Sequence, residues 1–117
     1  SIRRAKRHTG ARASAQTLKL NMPYLRKVVL HCPMGYRKEL DALVEQFIAD
    51  GVAYVGVVGE DCSRVEDIID ELVVGDGSDQ SRFVLTSAHP GESVEYALEF
   101  ARSLYGEYSG EVQLVEL

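Results

Sequence analysis

Apolar and polar positions follow two alternating periods along the chain. Short apolar runs occur within residues 28–32, 53–58 and 82–87, and each is followed by a segment whose apolar residues recur every three or four positions. A continuous apolar run is typical of a strand buried on both faces, and the longer period is typical of a helix with one buried face. The pattern therefore predicts three strand-helix pairs.

The ends of these elements carry recognisable signals. The first helix is predicted over residues 36–50 and stops at Gly51, since glycine commonly ends helices. The second is predicted to begin at residues 63–66, Ser-Arg-Val-Glu, which have the form of a capping box. The third is predicted over residues 94–105, and residues 111–117 form a last, more polar strand. The predicted order is β-α-β-α-β-α-β.

Such alternation needs crossover connections, so the sequence predicts a small Rossmann-like or flavodoxin-like α/β fold, with three layers and four parallel strands. We favour the strand order 2-1-3-4, with 3-2-1-4 as the alternative, because both leave the polar last strand at an edge. In the favoured order the first helix lies alone on one face of the sheet. That face would be under-covered, which predicts a cover from the leader or from a homodimer contact.

Composition adds a division that the pattern does not show. The chain has 117 residues and a formal net charge of −5, which suits one domain. Residues 1–21 contain six basic residues and no acidic one, whereas residues 22–117 contain seven basic and all 18 acidic residues, a formal charge of −11. We therefore divide the chain into a basic leader, residues 1–21, and a single α/β domain, residues 22–117.

The leader has no apolar stretch of the kind a secretory signal needs. We interpret it either as a tail that is not native to the domain or as a strand docked on a sheet edge or on a partner chain, because Leu18, Leu20 and Met22 alternate with polar residues. The acidic domain argues against a nucleic-acid partner, and no apolar run is long enough to span a membrane. Two cysteines make no disulfide framework, and we expect a cytoplasmic protein.

Ligands of open parallel sheets bind beyond the carboxyl ends of the strands. In the favoured strand order the first and third loops are neighbours, which would bring Cys32 close to His89. Polar and thiol side chains at this rim are His31, Cys32, Tyr36, Glu60, Asp61, Cys62, Ser87, His89 and Glu92.

Residues 31–38, His-Cys-Pro-Met-Gly-Tyr-Arg-Lys, resemble the signature His-Cys-x-x-Gly-x-x-Arg of cysteine-dependent phosphatases. The resemblance covers eight residues and implies that Cys32 is the nucleophile and Gly35 the glycine of a phosphate-binding loop. Lys38 stands where the family has its arginine, and a lysine cannot grip two phosphate oxygens in the same way. Pro33 removes one amide from the loop. Asp61 is the candidate general acid.

A zinc site built from His31, Cys32, Cys62 and His89 is an alternative, although adjacent His31 and Cys32 point to opposite faces of a strand. The glycine fingerprints of dinucleotide and triphosphate binding are absent from the sequence, and we predict neither a metal nor a cofactor. For a small anionic ligand at the rim, the candidate binding residues are Gly35, Tyr36, Lys38, Cys62, Ser87 and His89.

Two functional hypotheses follow. The first is a non-enzymatic module that binds a ligand or a partner and forms a homodimer. The alternative is a degenerate cysteine-dependent phosphatase or phosphate-binding protein that uses the loop after Cys32.

Overall fold

A computed structural model describes residues 22–117. The elements follow the predicted alternation: β1 Lys27–Cys32, α1 Glu39–Asp50, β2 Tyr54–Gly59, α2 Cys62–Val74, β3 Leu85–Ala88, α3 Val94–Arg102 and β4 Val112–Glu116, with a 3-10 turn at Gly106–Tyr108 before β4. The predicted leader, residues 1–21, lies outside the described residues.

All four strands pair in parallel in one sheet, which confirms the predicted α/β class. Their order is β3-β2-β1-β4. The favoured order 2-1-3-4 is therefore wrong and the alternative 3-2-1-4 is right. At the amino ends of the strands, Lys27 is level with Tyr54 on one side and with Val112 on the other.

The observed order changes which helix is alone. Right-handed crossovers from β1 to β2 and from β2 to β3 run in the same direction, so α1 and α2 lie on the same face and pack on each other. The connection from β3 to β4 runs back across the sheet, which puts α3 on the opposite face against β1, β2 and β4. The face that is covered by a single helix therefore carries α3. In the favoured order that face would carry α1.

The larger core lies between the sheet and the pair α1 and α2. The residues of this core are fully or almost fully buried. Those that come from the first two strands occupy alternate positions: Val28, Leu30 and Cys32 in β1 and Val55 and Val57 in β2. The smaller core lies under α3. Alternation of side chains along each strand assigns successive residues to the two cores, as expected of a sheet covered on both sides.

The sequence signals predicted some helix ends correctly and others wrongly. Gly51 adopts φ 84° and its amide bonds carbonyls in the last turn of α1, as a C-terminal glycine should. The capping box predicted at residues 63–66 is wrong, because α2 begins at Cys62 and Asp61 precedes it with φ 55° and no side-chain cap. Ser93 caps α3, and its hydroxyl accepts the Tyr96 amide at 3.0 Å.

The third strand is shorter and later than the predicted residues 82–87. Arg82 is tied to the end of α2 instead, where its guanidinium donates to the carbonyls of Leu72 and Val73 at 2.9 and 2.8 Å and to a carboxylate oxygen of Glu45 at 2.8 Å. These bonds satisfy carbonyls that a helix end leaves without a partner. Residue 82 therefore closes α2 and does not pair in the sheet.

A buried lysine fixes the position of α3. The side chain of Lys27 is 1% exposed, and its ammonium donates to the carbonyl of Ala101 at 2.6 Å, in the last turn of α3. A cation is favourable at a helix carboxyl end, while burial lowers the pKa of Lys27. The contact joins the first residue of β1 to the end of a helix 74 positions later in the chain.

Candidate functional site

The loop after β1 turns back on the strand instead of opening into an anion cradle. Gly35 is buried with φ 76°, and its amide donates to the carbonyl of Cys32 at 3.2 Å. The amide of Glu60, in the loop after β2, donates to the same carbonyl at 2.9 Å. The Gly35 amide therefore already has a protein acceptor, with which an anion in this loop would have to compete.

The remaining predicted anion ligands of this loop lie at the surface. The Tyr36 side chain is 40% exposed, and its hydroxyl donates to Oδ1 of Asp41 at 3.0 Å. This hydrogen bond to a carboxylate is the main reason that the pKa of Tyr36 is raised. Lys38 is exposed at the residue just before α1. A carboxylate therefore stands beside the loop where an anion would need positive partners.

Both cysteines are free and buried. Cys32 is 0% exposed, and its thiol donates to the carbonyl of Val58 at 3.5 Å. Burial, with smaller contributions from Cys62 and the carboxylate of Asp61, raises the pKa of the Cys32 thiol to about 11. Asp61 stands at the exposed start of α2, on the rim beside Gly35. Catalytic cysteines need the opposite shift, because the thiolate is the nucleophile.

We expect both thiols to resist labelling in the native protein. At pH 7 a pKa of about 11 leaves about one Cys32 in 10,000 as thiolate, so a disulfide reagent should react only as fast as the domain opens. The measurement is the rate of thiol labelling in buffer and in denaturant, together with aryl phosphate turnover by the wild type and by Cys32→Ser. Immediate labelling of Cys32 and a Cys32-dependent turnover would restore the phosphatase hypothesis.

Ser87 and His89 do meet, on the face of the sheet that carries α3. Nε2 of His89 lies 2.9 Å from the Ser87 hydroxyl, which lies 2.5 Å from the hydroxyl of Tyr54. His89 is 7% exposed and Tyr54 is 1% exposed. Rings of α3, Phe100 and Tyr96, contact the imidazole edge-on. The three polar side chains thus satisfy one another inside the smaller core.

Gly56 makes this polar chain possible. A Cβ at Gly56 would lie 2.5 Å from the hydroxyl of Tyr54, so the tyrosine side chain occupies the space that a side chain at residue 56 would fill. A glycine two residues after a tyrosine in a buried strand was the sequence signal for this arrangement. The arrangement was not predicted from the sequence.

The predicted closeness of Cys32 and His89 is wrong. Cys32 belongs to the core under α1 and α2, whereas His89 contacts α3 on the opposite face, and β2 separates β1 from β3. Cys62 packs with Cys32 and not with His89. Among residues 22–117, no group of three or more His, Cys, Asp or Glu side chains is placed to hold a metal ion.

Burial lowers the pKa of His89, and the carboxylates of Glu92 and Glu66 oppose this shift only in part. The unfolded chain therefore binds a proton at a higher pH than the folded domain. We expect the free energy of unfolding contributed by His89 to be complete above about pH 6.5 and to fall as the pH drops through the lower pKa of the folded state.

The measurement is urea unfolding at pH 7.5 and pH 5.5 for the wild type, for His89→Gln and for His8→Gln, which removes a histidine of the leader, as a control. The pH-dependent difference should shrink in His89→Gln and persist in His8→Gln. An equal loss in both variants would contradict the assignment to His89.

A cleft opens beyond the carboxyl ends of β1 and β4, where the strand order reverses, and its lining comes from α1, the residues just before it and the end of β4. Its volume is about 450 Å³, within the range of small-molecule sites. On its wall Nε of Arg37 lies 3.7 Å from Oε1 of Glu39, and Oε1 of Glu116 lies 2.8 Å from Nδ1 of His31. The lining residues are Arg37, Glu39, Ala42, Leu43, Glu116 and Leu117.

None of the predicted anion-binding residues lines this cleft. Glu116 was not predicted because the favoured order put the last strand beside β3, and Arg37 was not predicted because it lies one residue before the position of the phosphatase arginine. The observed order puts β4 beside β1, so the point where the strand order reverses lies between these two strands.

A second cavity of about 250 Å³ lies at the amino ends of the strands, between Arg26, Phe83 and Tyr108. That is the end of a parallel sheet where ligands seldom bind. The larger cleft is therefore the better candidate site.

Comparison with known proteins assigns the chain to a family without assigning it an activity. The family described as "Domain of unknown function (DUF7684)" matches residues 6–115. The chain belongs to this family. The matched span includes most of the predicted leader as well as nearly all of the described domain. Neither the comparison with curated proteins nor that with solved structures found a match. Within residues 22–117, no helix is both long and apolar enough to cross a membrane.

Proposed function

We propose that this domain is a non-enzymatic binding module that takes a small molecule in the cleft between β1 and β4. The observation that carries the proposal is the coincidence of a cavity of about 450 Å³ with the point where the strand order reverses. In open α/β sheets this position binds ligands whatever the chemistry of the family, because the loops diverge there and leave space between them.

The lining indicates the class of ligand. The lining has two carboxylates, Glu39 and Glu116, and one guanidinium, Arg37, and it also has an aliphatic wall formed by Ala42 and Leu43. The described domain carries a formal charge of −11 and repels anions at long range. Both features favour a small molecule with a cationic group and a hydrocarbon part over the anionic ligand predicted from the sequence.

The experiment is a titration of the isotope-labelled full chain, followed by NMR, with butylamine, butyrate and inorganic phosphate as separate probes. Fragments of this size bind in the millimolar range, which NMR measures directly. Butylamine should shift the amides of residues 37–43 and of Glu116 in a saturable way. Butyrate has a similar carbon chain and the opposite charge, so it should not.

Two variants locate the site. Ala42→Trp fills the cleft from an exposed position of α1 and should abolish the shifts, while Val74→Trp, at an exposed position of α2 outside the cleft, should leave them unchanged. Glu116→Gln should weaken butylamine binding. The proposal fails if no probe saturates or if Ala42→Trp binds butylamine as the wild type does.

The phosphatase alternative has no comparable support. Its nucleophile would be a buried thiol whose pKa is raised to about 11, and the amide of its loop glycine is bonded to the Cys32 carbonyl. Both features oppose attack on phosphorus.

A further inference from the structure

The outer edge of β4 has the geometry to accept another strand. The amide of Leu117 donates to the carbonyl of His31 at 2.8 Å, on the β1 side. Because successive amides of a strand point in opposite directions, those of Leu114 and Glu116 point away from β1, toward the edge where the described sheet ends. Unpaired amides at an edge readily pair with an added strand.

The same edge has an exposed apolar side chain on its α3 face. Leu114 is 43% exposed, although it lies level with the fully buried Val29 of the neighbouring strand. On the other face, Val115 and Leu117 already pack against the larger core. An added strand with apolar side chains on the α3 side would cover Leu114.

The described chain approaches the domain from this edge. The amide of Leu25 donates to the side-chain carbonyl of Gln113 in β4 at 2.8 Å, and the amide of Tyr24 donates to Asp50 at the end of α1 at 2.9 Å. The first contact places Leu25 at the amino end of β4, and the second places Tyr24 at the carboxyl end of α1. Met22 is only two residues away, within about 7 Å of Tyr24.

We propose that residues 18–21 add a fifth strand to the sheet, antiparallel to β4, and that Leu18 and Leu20 cover Leu114. The direction follows from the chain path, because a segment that ends at the amino end of β4 and lies along this strand must run opposite to it. Leu18 and Leu20 share one side of an extended chain, and Lys19 and Asn21 share the other.

Charge selects this segment over a second copy of β4. Residues 1–21 carry six basic residues and no acidic one, opposite a domain with a formal charge of −11. Pairing two copies of β4 would instead bring together two acidic domains and the glutamates at residues 111 and 116 of each strand, which is unfavourable. The family match also begins at residue 6, so it includes the proposed strand.

The test is amide hydrogen exchange of the full chain, measured by NMR at two protein concentrations. The amides of Leu114 and Glu116 should exchange at least about tenfold more slowly in the wild type than in the double variant Leu18→Ser/Leu20→Ser. The matched control Asn21→Ser changes a side chain on the opposite side of the strand and should keep the protection. Amides of β1 report that each variant remains folded.

Three outcomes overturn the proposal. Fast exchange at Leu114 and Glu116 in the wild type means that no strand covers the edge. Equal protection in the wild type and the double variant means that something other than Leu18 and Leu20 covers it. Protection that rises with protein concentration, together with a dimer in light scattering, means that the strand comes from a second copy.

Discussion

Replacing Gly59 by alanine should destabilise the domain by at least about 3 kcal/mol, the largest effect expected of a single methyl group here. Gly59 ends β2 with φ 124°, a conformation that side chains rarely adopt. An added Cβ would lie 2.5 Å from the carbonyl oxygen of Cys32 and 2.8 Å from its carbonyl carbon. These atoms belong to the backbone of a paired strand and cannot rotate away. Urea unfolding followed by circular dichroism measures the loss.

Gly77→Ala is the matched control. Gly77 also has a positive φ, 82°, but nothing lies within 4 Å of the position its Cβ would take. It should cost only the left-handed backbone penalty, about 1 kcal/mol. If the two variants lose equal stability, the close approach of β1 and β2 at Gly59 is not the cause.

Phe47→Ala should cost about 3–5 kcal/mol, as expected for removing a large aromatic side chain from a core. Phe47 is 1% exposed in the larger core, and its ring packs edge-on against Tyr24 with ring centres 4.9 Å apart. The ring joins α1 to the segment that leads into β1, so its loss leaves a cavity between them. The readout is the urea midpoint at constant slope.

Phe83→Ala removes the same group from a position that is 61% exposed, and its cost should stay within about 0.5 kcal/mol. The comparison holds side-chain size constant and changes only burial. A similar loss in both variants would show that Phe83 is covered in solution by something outside the described residues.

The polar groups of the domain have different environments on the two faces of the sheet. Under α1 and α2, the thiols of Cys32 and Cys62 are buried among apolar side chains, and burial raises the pKa of Cys32. Under α3, Tyr54, Ser87 and His89 form a hydrogen-bonded chain. The environment of a side chain near the rim therefore depends on which face of the sheet it lies on and on its neighbours there. The cleft between β1 and β4, open to solvent, combines charged groups with space for a ligand.

Local signals predicted the end of one helix correctly and the start of another wrongly. The apolar spacing within residues 36–50 predicted α1, in which Leu40, Val44, Phe47 and Ile48 are buried and Leu43 is half-buried, and Gly51 correctly predicted its end. The capping box at residues 63–66 was wrong although its pattern was complete, because α2 gains its first turn one residue earlier, from an Asp61 in the left-handed region. A short polar motif can be satisfied in more than one way, and the packing of Cys62 into the core selected the earlier start.

The candidate site depended on contacts that no local pattern contains. In either predicted order, the strand order reverses beside β1. Only the observed order puts β4 there, and it brings Glu116 next to His31, which is 85 residues away in the chain. The same change of order moved Cys32 away from His89. The strand order thus decides which of the loops at the carboxyl ends of the strands are neighbours.

By itself the sequence determined the alternation of four strands and three helices, the parallel sheet, the buried face of each helix, and the opposite charges of residues 1–21 and 22–117. These properties follow from the period of apolar residues, from the length of the crossovers and from charge, all of which act along the chain. Only the tertiary structure decided the order β3-β2-β1-β4, and with it the face of each helix and the place of the cleft. Both orders satisfy the same periods and the same handedness rule, so the choice rests on how distant side chains pack, such as Lys27 against the end of α3.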